Sequence, residues 1–387
     1  MSRKRPTEHG EDWDGDGTGS RRRTARYALP VALVGVTAVA AALVPAMANA
    51  GSPDLPKLSA EQLITRIAES ETEQLSGTVK VDTDLGLPQL PGMGAGSGEG
   101  GSSAEPSAKL MELWSGTHTL RVAADGPDKQ RVAIIDGAQE YSLIHNADQV
   151  WAYDSASNSV YHATADEGAG PRQHHRELPG TTPRELARQA LDAVDETTSV
   201  TVDGTARVAG RDAYQLLIKP KQGGSTIGSL RIAVDADKGV PLRVTLMPSD
   251  GGKPAVEAGF TSVDFSRPDA KSFDFTPPKG AKVTEHEDSG KRTGKQRPEP
   301  ALDVIGDGWT SVLRLEAPEL SGDVKQREIP AEGGKLLDSL GEKVDGKFGT
   351  GRLLKTRLVN ALLTEDGAVY AGAVDKETLV KAADSAR

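Results

Sequence analysis

From Gly77 to Phe265 most of the chain is a succession of short segments in which apolar and polar residues alternate at period two. The segments GTVKVDTD, LMELW, HTLRVAA, RVAIIDG, EYSLIHN, QVWAYDS and SVYHATA come first, parted by turn formers such as Asp136-Gly137, Asn146-Ala147-Asp148 and Ser155-Ala156-Ser157. VTVDGTARVAG, DAYQLLIKP, GSLRIAVDADKG, PLRVTLMP and AVEAGFTSVDF follow. Spacing this tight leaves no room for a crossover helix between strands, so no βαβ repeat forms. The pattern predicts roughly a dozen strands in an antiparallel meander.

Two helices accompany them. Ser59-Ala60-Glu61-Gln62 is a capping box, and Leu63, Ile64, Ile67 and Ala68 recur on one face of the helix behind it. Thr182-Pro183-Arg184-Glu185 repeats the device with Pro at the first helical position, ahead of Leu186, Ala187, Ala190, Leu191 and Val194. An apolar helix stripe and an apolar sheet face each need a partner, so the fold class is α+β: a large antiparallel sheet with helices on one face.

The stretch Leu85 to Ser107, ending GMGAGSGEGGSSAEPS, is too rich in Gly, Ser and Pro to pack and is expected to be a flexible insertion. FTSVDFSRPDAKSFDFTPPKGAKV, Phe260 to Val283, holds four of the chain's five phenylalanines. A core that closes on its last strand accounts for them, with Pro277-Pro278 ending the run. Residues 284–300 are charged and turn-rich and read as a linker. Residues 301–387 form a smaller αβ appendage, with Asp366-Gly367 as a hairpin turn and a terminal helix around Glu377 to Ala383.

Arginines at 21, 22, 23 and 26 precede an apolar run from Ala28 to Val44, which Ala48-Asn49-Ala50 follows. This is the layout of an export signal cleaved after Ala50, with a single N-terminal membrane anchor as the alternative; residues 1–50 are set apart on either reading. Twin-arginine export is hinted at by Ser20 to Thr24, without the usual apolar pair after the arginines. Both outcomes place the folded part outside the cytoplasm. With no cysteine the chain has neither disulfides nor a lipidation site, so it is not itself a lipoprotein.

Residues that carry chemistry are sparse. His174-His175 are adjacent and point apart, which disfavours a metal site, and His286-Glu287 lacks the second histidine of a metalloprotease helix. Gly96-Ser97-Gly98 has the wrong spacing for a nucleophile elbow. Trp114, Trp151, Tyr141, Tyr153 and Tyr161 have no interleaved Lys/Arg stripe, and the formal charge is -10, so a nucleic-acid platform is disfavoured. The reading is a non-enzymatic chain with no catalytic residue, no metal and no cofactor.

The order of capped helix, strand, meander, capped helix and five longer strands resembles the LolA-like family and its relatives among RseB/MucB N-terminal domains. The resemblance spans about residues 57–283 and is carried locally by GRDAYQLLIKP, SLRIAVDADKGVPLRVTL and FDFTPPKGAKV. The tail from Gly333 to Ala383 looks like the C-terminal extension of exported actinobacterial members of that group. The likeness implies a strongly curved antiparallel sheet, an unclosed β-barrel covered by helices, around a hydrophobic cavity. It implies binding of lipid or an acylated polypeptide; the alternative is an RseB-like regulatory or sensory module that engages an envelope membrane protein. Strand patterning nominates Leu110, Leu113, Trp114, Val132, Ile134, Leu143 and Trp151 as cavity-lining candidates.

Overall fold

The computed structural model describes residues 52–86, 104–106, 109, 112–113, 115–164, 196–287, 302–316 and 341–386. The export segment, most of the Leu85–Ser107 insertion, His174-His175, the helix expected after Thr182 and most of the linker lie outside these residues.

Helix α1 (Ala60–Ala68) starts at the capping box: Ser59 Oγ accepts from Gln62 N at 3.1 Å, and Gln62 Oε1 accepts from Ser59 N at 2.9 Å. Strand β1 (Gln74–Thr83) follows. A first meander comprises β2 (Gly116–Asp125), β3 (Lys129–Asp136), β4 (Gln139–Asn146), β5 (Gln149–Asp154) and β6 (Ser159–Thr164). A second comprises β7 (Thr198–Val208), β8 (Arg211–Pro220), β9 (Ile227–Asp235), β10 (Pro241–Pro248) and β11 (Val256–Asp264). β1 joins them, pairing antiparallel with β2 on one side and β11 on the other. A bulge interrupts its register with β11 between Thr78 and Val79. Just before it a side chain at Gly77 would run into the Ser262 carbonyl, so the close approach demands glycine.

Two apolar clusters hold this sheet. Leu63, Ile64 and Ile67 of α1 sink onto Tyr214, Leu216, Ile232 and Val244. Val79, Val81, Leu120 and Phe260 form the second cluster beside them. Each fully buried side chain of this size contributes about 1.5–3 kcal/mol.

After β11 the chain crosses back over β3 and β4. A short 3-10 turn (Ala270–Phe273) buries Phe273, and the carbonyls of Ser272 and Phe273 accept from Arg131 and Asn146, both at 3.3 Å. Phe275 then lies against Trp151 and Tyr153, at centroid distances of 5.5 and 5.8 Å. The phenylalanines thus close the core and also fasten this strap. Beyond it, β12 (Lys282–Glu287) pairs with β6, reaching into the stretch whose composition reads as linker.

The C-terminal unit is a six-stranded sheet in the order β13-β14-β18-β17-β16-β15. Its strands are β13 (Leu302–Ile305), β14 (Val312–Glu316), β15 (Glu342–Gly346), β16 (Gly349–Leu354), β17 (Asn360–Thr364) and β18 (Ala368–Gly372). Helix α2 (Lys376–Ser385) packs Leu379, Ala382 and Ala383 on Leu353, Leu362 and Tyr370. The unit docks through the corner between β16 and β17. Leu358 is 2% exposed and sits in the α1 cluster, while Arg357 reaches Asp84 Oδ2 at 2.8 Å and the carbonyls of Lys253 and Pro254. Trp309 Nε1 donates to Thr198 Oγ1 at 2.8 Å on the same border.

Two expectations are corrected. The main sheet is not a strongly curved antiparallel unclosed barrel. It is an open, mixed sheet of twelve strands in the order β12-β6-β5-β4-β3-β2-β1-β11-β10-β9-β8-β7, and β12 runs parallel to β6. Helix α1 packs on it through Leu63, Ile64 and Ile67. Sequence alternation fails here because the parallel pair depends on a strap that carries the chain across the sheet before it pairs. The two described residues of LMELW are likewise not in a strand: Glu112 is helical and Leu113 lies in a turn. Leu110, Leu113 and Trp114 have the i, i+3, i+4 spacing of a helix face, which a run this short does not separate from a strand.

Candidate functional site

An open groove of about 1060 Å³, built from several elements, runs along α1. With Leu63, Ile64 and Ile67 committed to the core, α1 turns Glu61, Gln62, Thr65 and Glu69 toward the groove. The segment Ser70–Gln74, which leads into β1, supplies Glu71 and Glu73, and Leu58 and Phe265 are the apolar part of the lining.

The opposite wall is the turn between β9 and β10, and one buried carboxylate shapes it. Asp235 is fully buried and accepts from the backbone N–H of Asp237 at 3.0 Å and of Lys238 at 2.7 Å. It also accepts from Nε and Nη2 of Arg211, a bidentate pair that raises the guanidinium pKa further. Arg211 in turn lies 4.9 Å over the Phe265 ring, so the carboxylate that fixes the turn also fixes the aromatic residue.

The helix end is clamped on this turn. Arg66 Nη1 donates to Ala236 O at 2.6 Å, and Ser70 Oγ donates to Lys238 O at 2.7 Å. Gly239 has φ +69°, and a side chain there would approach Arg66 O to 2.5 Å. Only glycine suits both the left-handed backbone and the contact. The rim therefore holds Glu61, Glu69, Glu71, Glu73 and Asp237 against Arg66 and Lys238, with Arg66 already bound to a carbonyl. Such a surface suits a polypeptide carrying positive charge better than a small apolar ligand.

None of the five cavity candidates among the described residues lines this groove. Val132 faces Leu143 across the β3–β4 ladder, and Ile134 packs with Tyr141 and Leu143 in a small cluster. Burial pushes the Tyr141 phenol pKa well up, and its hydroxyl donates to Ala104 O at 3.1 Å. Leu113 is buried in the Val79–Leu120 cluster. Trp151 pairs with Ile144, one position from Leu143, so it emerges on the other face, stacked 3.7 Å from His162. Leu110 and Trp114 lie outside the described residues.

Three signals of the groove were present in the chain: the capping box, the turn formers of DADKG, and the polar face of α1. What joined them was not, because Arg211, Asp235 and Phe265 meet only in the folded sheet. Among the described residues no cluster of His, Asp or Glu is arranged to hold a metal ion. No described helix is long and apolar enough to cross a membrane.

Residues 112–278 match the family model for the MucB/RseB N-terminal domain. The fold is also similar, at 16% identity and a TM-score of 0.42, to a structure of the Pseudomonas aeruginosa MucA/MucB complex, covering 84% of this chain and 96% of that one. A structure of MucB with MucA(peri) matches at 15% identity and a TM-score of 0.40, covering 84% and 97%. A LolA superfamily protein from Nitrosomonas europaea matches at 9% identity and a TM-score of 0.22, covering 57% and 99%. No curated protein matches the chain.

Proposed function

We propose that the chain is an extracytoplasmic interaction module that captures a polypeptide segment of an envelope protein in the α1 groove and thereby regulates it. The observation that carries this reading is the wall fixed by Asp235, which shapes one side of an open, carboxylate-rimmed groove. The MucB/RseB match over residues 112–278 supports the regulatory class over a dedicated carrier. Cations on the partner find carboxylates along one rim, and Phe265 and Leu58 offer a short apolar contact.

The test is fluorescence anisotropy with the full chain, a Lys/Arg-rich synthetic peptide and its Glu-substituted counterpart. Saturable binding of the cationic peptide, weakened about tenfold or more by Glu69→Lys with Glu73→Lys and by added salt, supports the groove. Equal binding of both peptides, or indifference to the double substitution, rejects it. A lipid-modified partner would bring its acyl chain to Val132, Ile134 and Leu143, and a fluorescent acyl probe that binds and is displaced by lipid reads that arm out separately. On location we infer cleavage after Ala50, so the mature protein starts at Gly51; mass analysis of its N-terminus separates this from the anchored form.

A further inference from the structure

Strand β12 is held differently from every other strand of the main sheet. It pairs in parallel with β6 from Lys282–Ser159 to Glu287–Thr164, and among the described residues it is the edge strand of the sheet. Val283 is 41% exposed, the Glu285 side chain 63%, and no β12 residue enters an apolar cluster. The strap before it is fastened through Phe273 and Phe275, whereas among its described side chains β12 adds one contact, that of Glu285, to its ladder. Parallel pairing is the weaker kind per residue.

That contact is prepared entirely by β5 and β6. The His162 ring stacks 3.7 Å from Trp151 at an interplanar angle of 13°, and its Nε2 lies 2.6 Å from Gln149 Oε1. Its Nδ1 is thereby aimed past the sheet edge, where Glu285 Oε2 meets it at 2.5 Å. Without β12, the β6 edge would retain its open backbone groups and a histidine directed at an incoming acceptor.

We propose that the β6 edge is a strand-acceptor site, with β12 as its intramolecular occupant. An extended segment of a partner polypeptide replaces β12 in the parallel direction and delivers an acidic side chain to His162. Strand addition at a sheet edge supplies main-chain hydrogen bonds to any sequence, and His162 supplies selection for a carboxylate. Both ring nitrogens face oxygen atoms, Gln149 Oε1 and Glu285 Oε2, so a lysine or arginine at that position would replace the acceptor beside Nδ1 with a donor. This site lies on β6, away from the α1 groove, and does not depend on the groove's occupant.

The probe is a labelled synthetic peptide of the sequence KGAKVTEHE, Lys279 to Glu287, with a second peptide carrying Ala in place of the glutamate at the Glu285 position. Both are titrated into the full chain, unmodified and as Glu285→Ala, an exposed substitution that leaves the fold intact. Glu285→Ala loosens the tethered strand, so it is expected to bind the first peptide about tenfold more tightly than the unmodified chain does. The second peptide is expected to bind Glu285→Ala about tenfold more weakly than the first, a difference that His162→Ala in the same chain erases. Absence of binding to Glu285→Ala, equal binding to both chains, or equal binding of both peptides overturns the proposal. Loss of binding on Glu69→Lys with Glu73→Lys would place the peptide in the α1 groove, overturning the strand-acceptor site while leaving the groove reading standing.

Discussion

Leu358 belongs by sequence to the C-terminal unit and by packing to the core beneath α1. Truncation to Ala removes a side chain that is 2% exposed and touches the cluster of Leu63, Ile64 and Ile67. Burial of this degree gives a Leu→Ala cost of about 2–5 kcal/mol, the lower end applying if the corner collapses into the gap. The adjacent Val359 is 40% exposed, so Val359→Ala is the internal control, with an expected cost within about 0.5 kcal/mol. Urea unfolding followed by the fluorescence of Trp309, which donates to Thr198 across the same border, reads the difference. Hydrogen exchange adds the location: a loss of about 2 kcal/mol raises local opening of α1 about thirtyfold. If Leu358→Ala shifts the transition no more than Val359→Ala, and the amides of Leu63 to Ala68 exchange at unchanged rates, the two units do not share a core and the docking argument fails.

Asp235→Asn leaves the partly exposed Arg211 beside an uncharged, buried partner and is expected to cost about 1–3 kcal/mol in denaturant unfolding and to weaken groove binding together; retained stability with unchanged peptide affinity would contradict the role given to this carboxylate. Gly239→Ala places a side chain against Arg66 O in a left-handed backbone, so it is expected to destabilise by more than about 1 kcal/mol, read as a lowered denaturant midpoint. Ser59→Ala removes the α1 cap and is expected to cost about 1 kcal/mol, seen as faster amide exchange in the first turn. In the C-terminal unit, hydrogen bonds from Lys355 and Lys376 lower the Glu342 pKa from 4.5 to about 2. The folded value is depressed, so the stabilisation is present above the ordinary value and is lost as pH falls from about 4.5 through 2. Thermal midpoints of the unmodified chain and Glu342→Gln should converge across that interval, and salt should shrink the gap because the pair is exposed; parallel curves would show the contact to be idle.

Local pattern was enough for much of the strand inventory. Period-two alternation located β2 to β11, the capping box located α1, and Asp366-Gly367 located the β17–β18 turn, since each depends on neighbours a few residues away. The same alternation leaves open which of two faces is inward. Leu143 and Trp151 looked equivalent as apolar strand residues, yet the β4–β5 register puts them on opposite faces. Long separations were out of reach for the same reason. Pairing of β1 with β11, the parallel seat of β12 on β6, Leu358 in the α1 core and the meeting of Arg211, Asp235 and Phe265 are contacts between distant residues. Alternation along a strand records only that one face is buried; which partner buries it is decided by the packing of the whole chain.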